Sequence, residues 1–227
     1  VYKRQIMADE FEGDFGEEQK KMQAFLKSPE WKRTTAQGWG VNRAETAEIF
    51  TANQMYIRKF PDRAASLLGK LHCQHYGLPS FGKRLAAATR EFVPFSGDPA
   101  GWFAQNGRFT DFSGKTIELP ERTFATHTSG KYTAARVPLL DVIAEVLRQP
   151  DEVWLNNYDG KAFDCLNYIR FYRDKAINVV CRIENGKTLA VRTWFEIAIR
   201  PTTRSGGKIA PEKDPRLKYR RGLLVKK

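Results

Sequence analysis

Cysteine, histidine and methionine each occur only three times in 227 residues. Cys73, Cys165 and Cys181 are odd in number and share no metal-ligand spacing, so they make neither a disulfide framework nor a zinc module. They read as buried thiols of a protein kept in a reducing compartment. No run of about 18 apolar residues is present, which leaves nothing to cross a membrane as a helix. Asp9, Glu10, Glu12 and Asp14 close behind Met7 leave no room for a signal-peptide core. A Gly-rich phosphate loop between strand and helix is missing, as are a nucleophile elbow and a paired Cys/His motif. Internal repeats are missing too. Neither a cofactor nor a metal is therefore expected.

What the chain has in excess is positive charge, +12 formally. It is unevenly placed: residues 1–100 carry +3, residues 101–160 carry −2 and residues 161–227 carry +11. A basic region this concentrated, without an amphipathic basic helix, favours a polyanionic partner, nucleic acid before membrane.

The same basic region contains the clearest structural signal. Phe163–Arg173 is rich in Phe, Tyr, Leu and Ile. Ala176–Glu184 and Lys187–Ile197 place apolar residues at alternate positions, the period of half-buried strands. Asn185-Gly186 predicts a tight turn between the second and third runs, and Asp174-Lys175 one between the first and second. An antiparallel meander follows. Upstream, Asn42–Lys59 has a capping box at Asn42 and Glu45, and a further helix is expected to end at Gly77. Another is expected over roughly Ser80–Phe92, then an irregular connector over Gly101–Arg122 with a β-like piece at Lys115–Leu119. Ala134–Arg148 reads as one amphipathic helix, with Pro138 tolerated in its first turn. After a Gly/Pro/Ser-rich loop over Arg200–Pro215, Arg216–Lys227 predicts a last basic strand. Helices followed by strands in separate blocks give an α+β fold: a helical N-terminal half, then a helix packed on an antiparallel sheet of about four strands.

Few residues offer chemistry. His127 lies in a polar stretch with Thr126, Thr128 and Lys131; a nearby lysine disfavours imidazolium, which suits a general base near neutral pH. The alternative is a histidine that bonds a backbone carbonyl. His72 and His75 read as a pair at a helix C-terminus, with metal pairing the alternative. Lys131, Arg136, Arg170, Arg173, Arg182, Arg192, Arg220 and Arg221 are candidate phosphate ligands, although Arg170 and Arg182 on alternating strands are equally read as solvated charges. Thr193 falls on the alternation of Leu189, Val191 and Phe195, where a hydroxyl needs a partner or lines a cleft. Tyr168, Phe171, Tyr172 and Trp194 interleave with basic residues as in base-stacking surfaces, or serve as core. Trp154 reads as a core anchor.

Phe109–Trp154, with FTDFSGKTIELPERTF, then HTSGKY, then a helix ending in PDEVW, resembles the C-terminal domains of phage Mu F-type head-morphogenesis proteins. These are grouped with the barnase, EndoU, colicin and RelE-like nucleases. The resemblance covers roughly residues 105–227 and leaves 1–95 as a helical adaptor region. It implies a helix-plus-sheet fold and a metal-independent, toxin-like endoribonuclease that forms a 2′,3′-cyclic phosphate. By position it assigns His127, Lys131, Thr193 and Arg221 to catalysis. Substrate binding would fall to Arg136, Arg170, Tyr172 and Arg220. The implied partner is RNA, tRNA included, with an immunity or antitoxin protein or phage head proteins beside it. Activity would be exerted in the cytoplasm of a target cell, or the protein would be virion-associated. The competing expectation is a non-catalytic nucleic-acid binder of the phage head or ejection apparatus.

Overall fold

A computed structural model describes residues 69, 73, 76–156, 165–184, 188–198, 216 and 219–227. The expected helix over Asn42–Lys59, the His72/His75 pair, the Asn185-Gly186 turn and the whole 200–215 loop lie outside the described residues. No described helix is long and apolar enough to cross a membrane.

The fold is α+β. Short helices α1 (Phe81–Ala87) and α2 (Pro99–Gln105) lead into strands β1 (Arg108–Thr110) and β2 (Thr116–Glu118). Helices α3 (Glu121–His127), α4 (Thr133–Arg136) and α5 (Val142–Arg148) follow. Strands β3 (Glu152–Asn156), β4 (Cys165–Tyr172), β5 (Lys175–Glu184), β6 (Thr188–Ile197) and β7 (Leu223–Lys226) complete the chain. The sheet has seven strands in the order β1-β2-β6-β5-β4-β3-β7. It is mixed, because β2 runs parallel to β6 while every other pair is antiparallel. The expected meander is β4, β5 and β6, and the expected last strand is β7 at one edge, so the sheet exceeds the expected four strands by β1, β2 and β3. β1 was read as connector, because three residues with one buried position, Phe109, carry too short a period to register. β2 falls within the β-like piece expected over Lys115–Leu119, and β3 was read only as the place of the core anchor Trp154.

The meander forms as the alternation requires, with Ile177, Val179 and Cys181 turned to the larger core. Tyr172 pairs with Lys175, so the tight turn is Arg173-Asp174, one residue earlier than expected. Gly77, at φ +63°, ends the helix that contains Cys73, and the Leu78 N–H donates to the Cys73 carbonyl at 2.8 Å. That is the 6→1 bond of a left-handed C-terminal cap. The expected single helix over Ala134–Arg148 is broken in two. Pro138 sits in a 3-10 turn, Val137–Leu139, since it has no N–H to donate and its ring would meet the carbonyl four residues back.

Two cores result. One lies between the sheet and α2, α3 and α5, with Trp102, Phe124, Ile143, Leu147, Tyr168 and Trp194 among its members. The other lies on the opposite face, where Cys73 and Phe81 meet Trp154, Ile169, Phe171 and Leu224. Cys73, Tyr76, Leu78, Phe81, Leu85 and Ala88 therefore pack on the sheet. Within β6 the inward set switches between the two cores. Val180 pairs with Thr193 but Cys181 with Val191, leaving Arg192 as a bulge. Leu189, Val191 and Trp194 thus face the larger core, whereas Phe195 and Ile197 face the other. Thr193 shares the side of Phe195 but not that of Leu189 and Val191, which corrects the unbroken alternation read from the sequence.

All three cysteines are free and buried. Burial pushes the Cys73 thiol up to about 11 and the Cys181 thiol well above its ordinary value, as inert core thiols require. At the far edge, Gly222 admits β7 at φ +95°, and a Cβ there would run into the Leu155 carbonyl. Gly222→Ala is expected to cost roughly 2–5 kcal/mol, from left-handed strain and overpacking together. Urea unfolding would measure it, and a loss of a few tenths would contradict this account of β7 docking.

Candidate active site

The open half of one strand organises the site. β2 reaches β6 only at Leu189 and Ala190, so from Arg192 onward that edge has no neighbouring strand among the described residues. The end of α3 and all of α4 occupy the place instead. His127 donates from Nε2 to the carbonyl of the bulged Arg192 at 3.0 Å, and Arg136 donates from its guanidinium to the Trp194 carbonyl. The Trp194 indole N–H returns a bond to the Arg136 carbonyl at 3.0 Å. Two side chains from the helical layer thus satisfy acceptors that a further strand would otherwise pair.

Just beyond this seam lies a cleft of about 720 Å³. Phe92, Phe195 and Tyr219 give it aromatic walls, while Arg136, Lys175, Thr193 and Glu196 give it polar ones. The Arg136 guanidinium stands 5.1 Å from the centre of the Phe195 ring, which lies 5.1 Å from that of Tyr219. Lys175 Nζ lies 5.3 Å from the Phe92 ring centre and donates to Glu196 Oε2 at 3.0 Å. Burial raises the Tyr219 phenol pKa against the opposing pull of Arg136, so the hydroxyl keeps its proton as a donor.

The sequence-derived candidates distribute as follows. Arg136 and Thr193 line the cleft. His127 is the last residue of α3, half-buried, its ring edge-on to Trp194 at 5.2 Å. Its Nδ1 is shielded from solvent with no hydrogen-bond partner. The carbonyl-bonded alternative is thus the geometry found, and His127 acts on the site by fixing the edge of β6. Lys131 is exposed on the turn Gly130–Tyr132, its Nζ 5.2 Å from the Tyr132 ring centre. Arg170, one of the two arginines read as solvated, is instead buried. It pairs with Glu145 at 2.7 Å, and the Tyr172 hydroxyl donates to the same carboxylate at 3.2 Å. Arg182 is exposed. Arg220 and Arg221 are buried beside β7, which three strands separate from β6 in the sheet order. Arg220 is bonded to Glu152, and burial lowers the Arg221 pKa to about 10.

Lys175, Glu196, Tyr219 and Phe92 were not singled out from the sequence. The signal for Glu196 was the hairpin register, which sets it across from Ile177 and near Lys175; the bulge at Arg192 hides that register from simple counting.

His127 also fixes a pH dependence. Burial first, and Arg136 nearby, lower its pKa from 6.5, against the Arg192 carbonyl that raises it. As pH falls through the ordinary imidazole range, the unfolded chain takes up a proton that the folded one resists, so stability drops on acidification until the folded pKa is passed. The loss of melting temperature between about pH 7.5 and about pH 5 is expected to shrink in His127→Gln, which keeps an N–H for Arg192 but does not titrate. Superimposable profiles for parent and variant would refute the assignment.

Every cleft residue named above except Phe92 lies within residues 94–225, which match the family model described as phage-Barnase-EndoU-ColicinE5/D-RelE like nuclease2. No curated protein and no solved structure matches the chain. With more than half of its residues covered by that match, the chain belongs to this phage-associated nuclease family.

Proposed function

We propose that the protein is a metal-independent endoribonuclease acting in the cleft beside β6. The observation that supports this most is the convergence there of one carboxylate, two cations and two hydroxyls between aromatic walls, within a chain of a nuclease family. Glu196 takes the proton of a ribose 2′-hydroxyl, the oxygen attacks the adjacent phosphorus, and the bond from phosphorus to O5′ breaks. The Lys175 ammonium protonates the departing O5′, and a 2′,3′-cyclic phosphate remains. Glu196 then returns its proton to Lys175 across their 3.0 Å contact, which resets the site. Arg136 neutralises charge developing on the phosphoryl oxygens, with Thr193 and Tyr219 donating to them. Phe92, Phe195 and Tyr219 offer faces on which a base stacks.

Phage association of the family supports a finer reading too, in which this is a toxin-like domain of the Mu F kind. The residues before it would be an adaptor for head proteins, delivery or an immunity partner, and RNA of the recipient cell, tRNA included, would be the target. The test is incubation of purified protein with bulk RNA and tRNA in EDTA, with end-group analysis of the products. Cyclic phosphate termini are expected; salt-sensitive binding without cleavage would instead make this a nucleic-acid-binding protein, and cleavage only with a divalent ion would refute the mechanism.

A further inference from the structure

Asparagine is disfavoured inside strands. Yet Asn178 of β5, Asn167 of β4 and Asn156 of β3 sit on the central strands, none more than 2% exposed. All three share the sheet face of Trp154 and Ile169, away from the larger core. The register sets them on one diagonal: Asn178 lies across from Ile169, Asn167 between Val180 and Trp154, and Asn156 across from Cys165. Asn178 Nδ2 donates to Asn167 Oδ1 at 2.8 Å, and Asn156 Nδ2 reaches the Arg221 carbonyl at 3.5 Å. Asn178 Oδ1, Asn167 Nδ2 and Asn156 Oδ1 have no protein partner. Each such atom costs about 1–3 kcal/mol, and apolar side chains would serve a plain core better.

A diagonal that offers both donors and acceptors matches the hydrogen-bonding edges of unpaired bases. Positive charge adjoins it, since Arg182, across from Cys165 on the same face, is exposed. Residues ahead of the family match close the neighbouring part of this face. Phe81 packs edge-on to Phe171 at 5.3 Å and Tyr76 edge-on to Trp154 at 5.6 Å. Arg84 pairs with Glu152 at 3.2 Å, and Arg90 with Asp151 at 2.8 Å.

We propose that the Asn156–Asn167–Asn178 diagonal is a base-reading surface for single-stranded RNA, held shut by residues 76–90. This rests on the nucleic-acid part of the function proposed above, not on cleavage or on the cleft. The test uses the full chain carrying Glu196→Gln, so that RNA binding is read whether or not the cleft cleaves. Arg84→Ala with Arg90→Ala should raise amide exchange in β4 and tighten binding of a short fluorescent single-stranded RNA about tenfold, by raising the open fraction. Adding Asn167→Leu and Asn178→Leu should abolish that gain without lowering the melting temperature, since exchanging both partners for apolar groups is near neutral. Opening without tighter binding, or a gain that survives the leucines, overturns the reading surface. Unchanged exchange overturns the role of the two ion pairs.

Discussion

Glu152→Ala is expected to lower the stability of the fold by about 3–5 kcal/mol, the usual cost of stripping one partner from a buried ion pair. The Glu152 carboxylate is fully buried. It accepts from Arg220 Nε at 2.8 Å and from a second Arg220 nitrogen at 2.7 Å. Arg84 Nε at 3.2 Å and the Trp154 indole N–H at 3.0 Å complete its shell. Removal would leave the Arg220 guanidinium, itself 0% exposed, without its countercharge. The group joins three parts of the chain, because Arg220 also donates to the Pro79 carbonyl and precedes β7. Arg220→Ala should cost a similar amount and the double variant much less than the sum, as a double-mutant cycle in urea would read. Little salt dependence is expected, since solvent ions screen a buried pair weakly. A loss under about 1 kcal/mol for either single variant would show the cluster to be incidental.

The second large effect concerns catalysis. Glu196→Gln should reduce RNA cleavage by about 10²–10⁴-fold, the range for losing a general base. Glu196 is exposed on the cleft wall, so the fold should persist with an unchanged circular dichroism spectrum. Thr193→Val, nearly isosteric, should lose about 10²–10³-fold in turnover with little change in KM, because its donor acts on charge formed in the transition state. Full activity in Glu196→Gln would remove the cleft from consideration. A rise in KM alone for Thr193→Val would demote the hydroxyl to ground-state binding.

The meander was legible in the sequence because its alternation is long, and the last strand because Gly222 precedes a short apolar run. The outer strand β1 was not, being three residues long, although the β-like piece read over Lys115–Leu119 contains β2. The break at Pro138 was underestimated, since a proline three residues inside an apolar period reads as a first turn until the chain before it is known to turn as well. At the site, Arg136 and Thr193 were legible as polar residues beside apolar elements. Arg220 and Arg221 were read as phosphate and catalytic residues from charge and from the family resemblance, and burial lies outside what either reports. Arg170 was likewise claimed by Glu145, whose position depends on how α5 crosses the sheet. Tyr219 joins the cleft from a distant part of the chain, so only tertiary structure could place it.

The outer pairings of the sheet join segments far apart in the chain: Ile117 of β2 lies beside Leu189 of β6, and Val153 of β3 beside Lys226 of β7. Closing such long loops costs entropy before any contact rewards it. The hairpins of β4, β5 and β6 do not face that cost. Assembly from the middle strands outward is the order this topology predicts, and slow folding for the chain's size is the outcome expected in a stopped-flow refolding measurement.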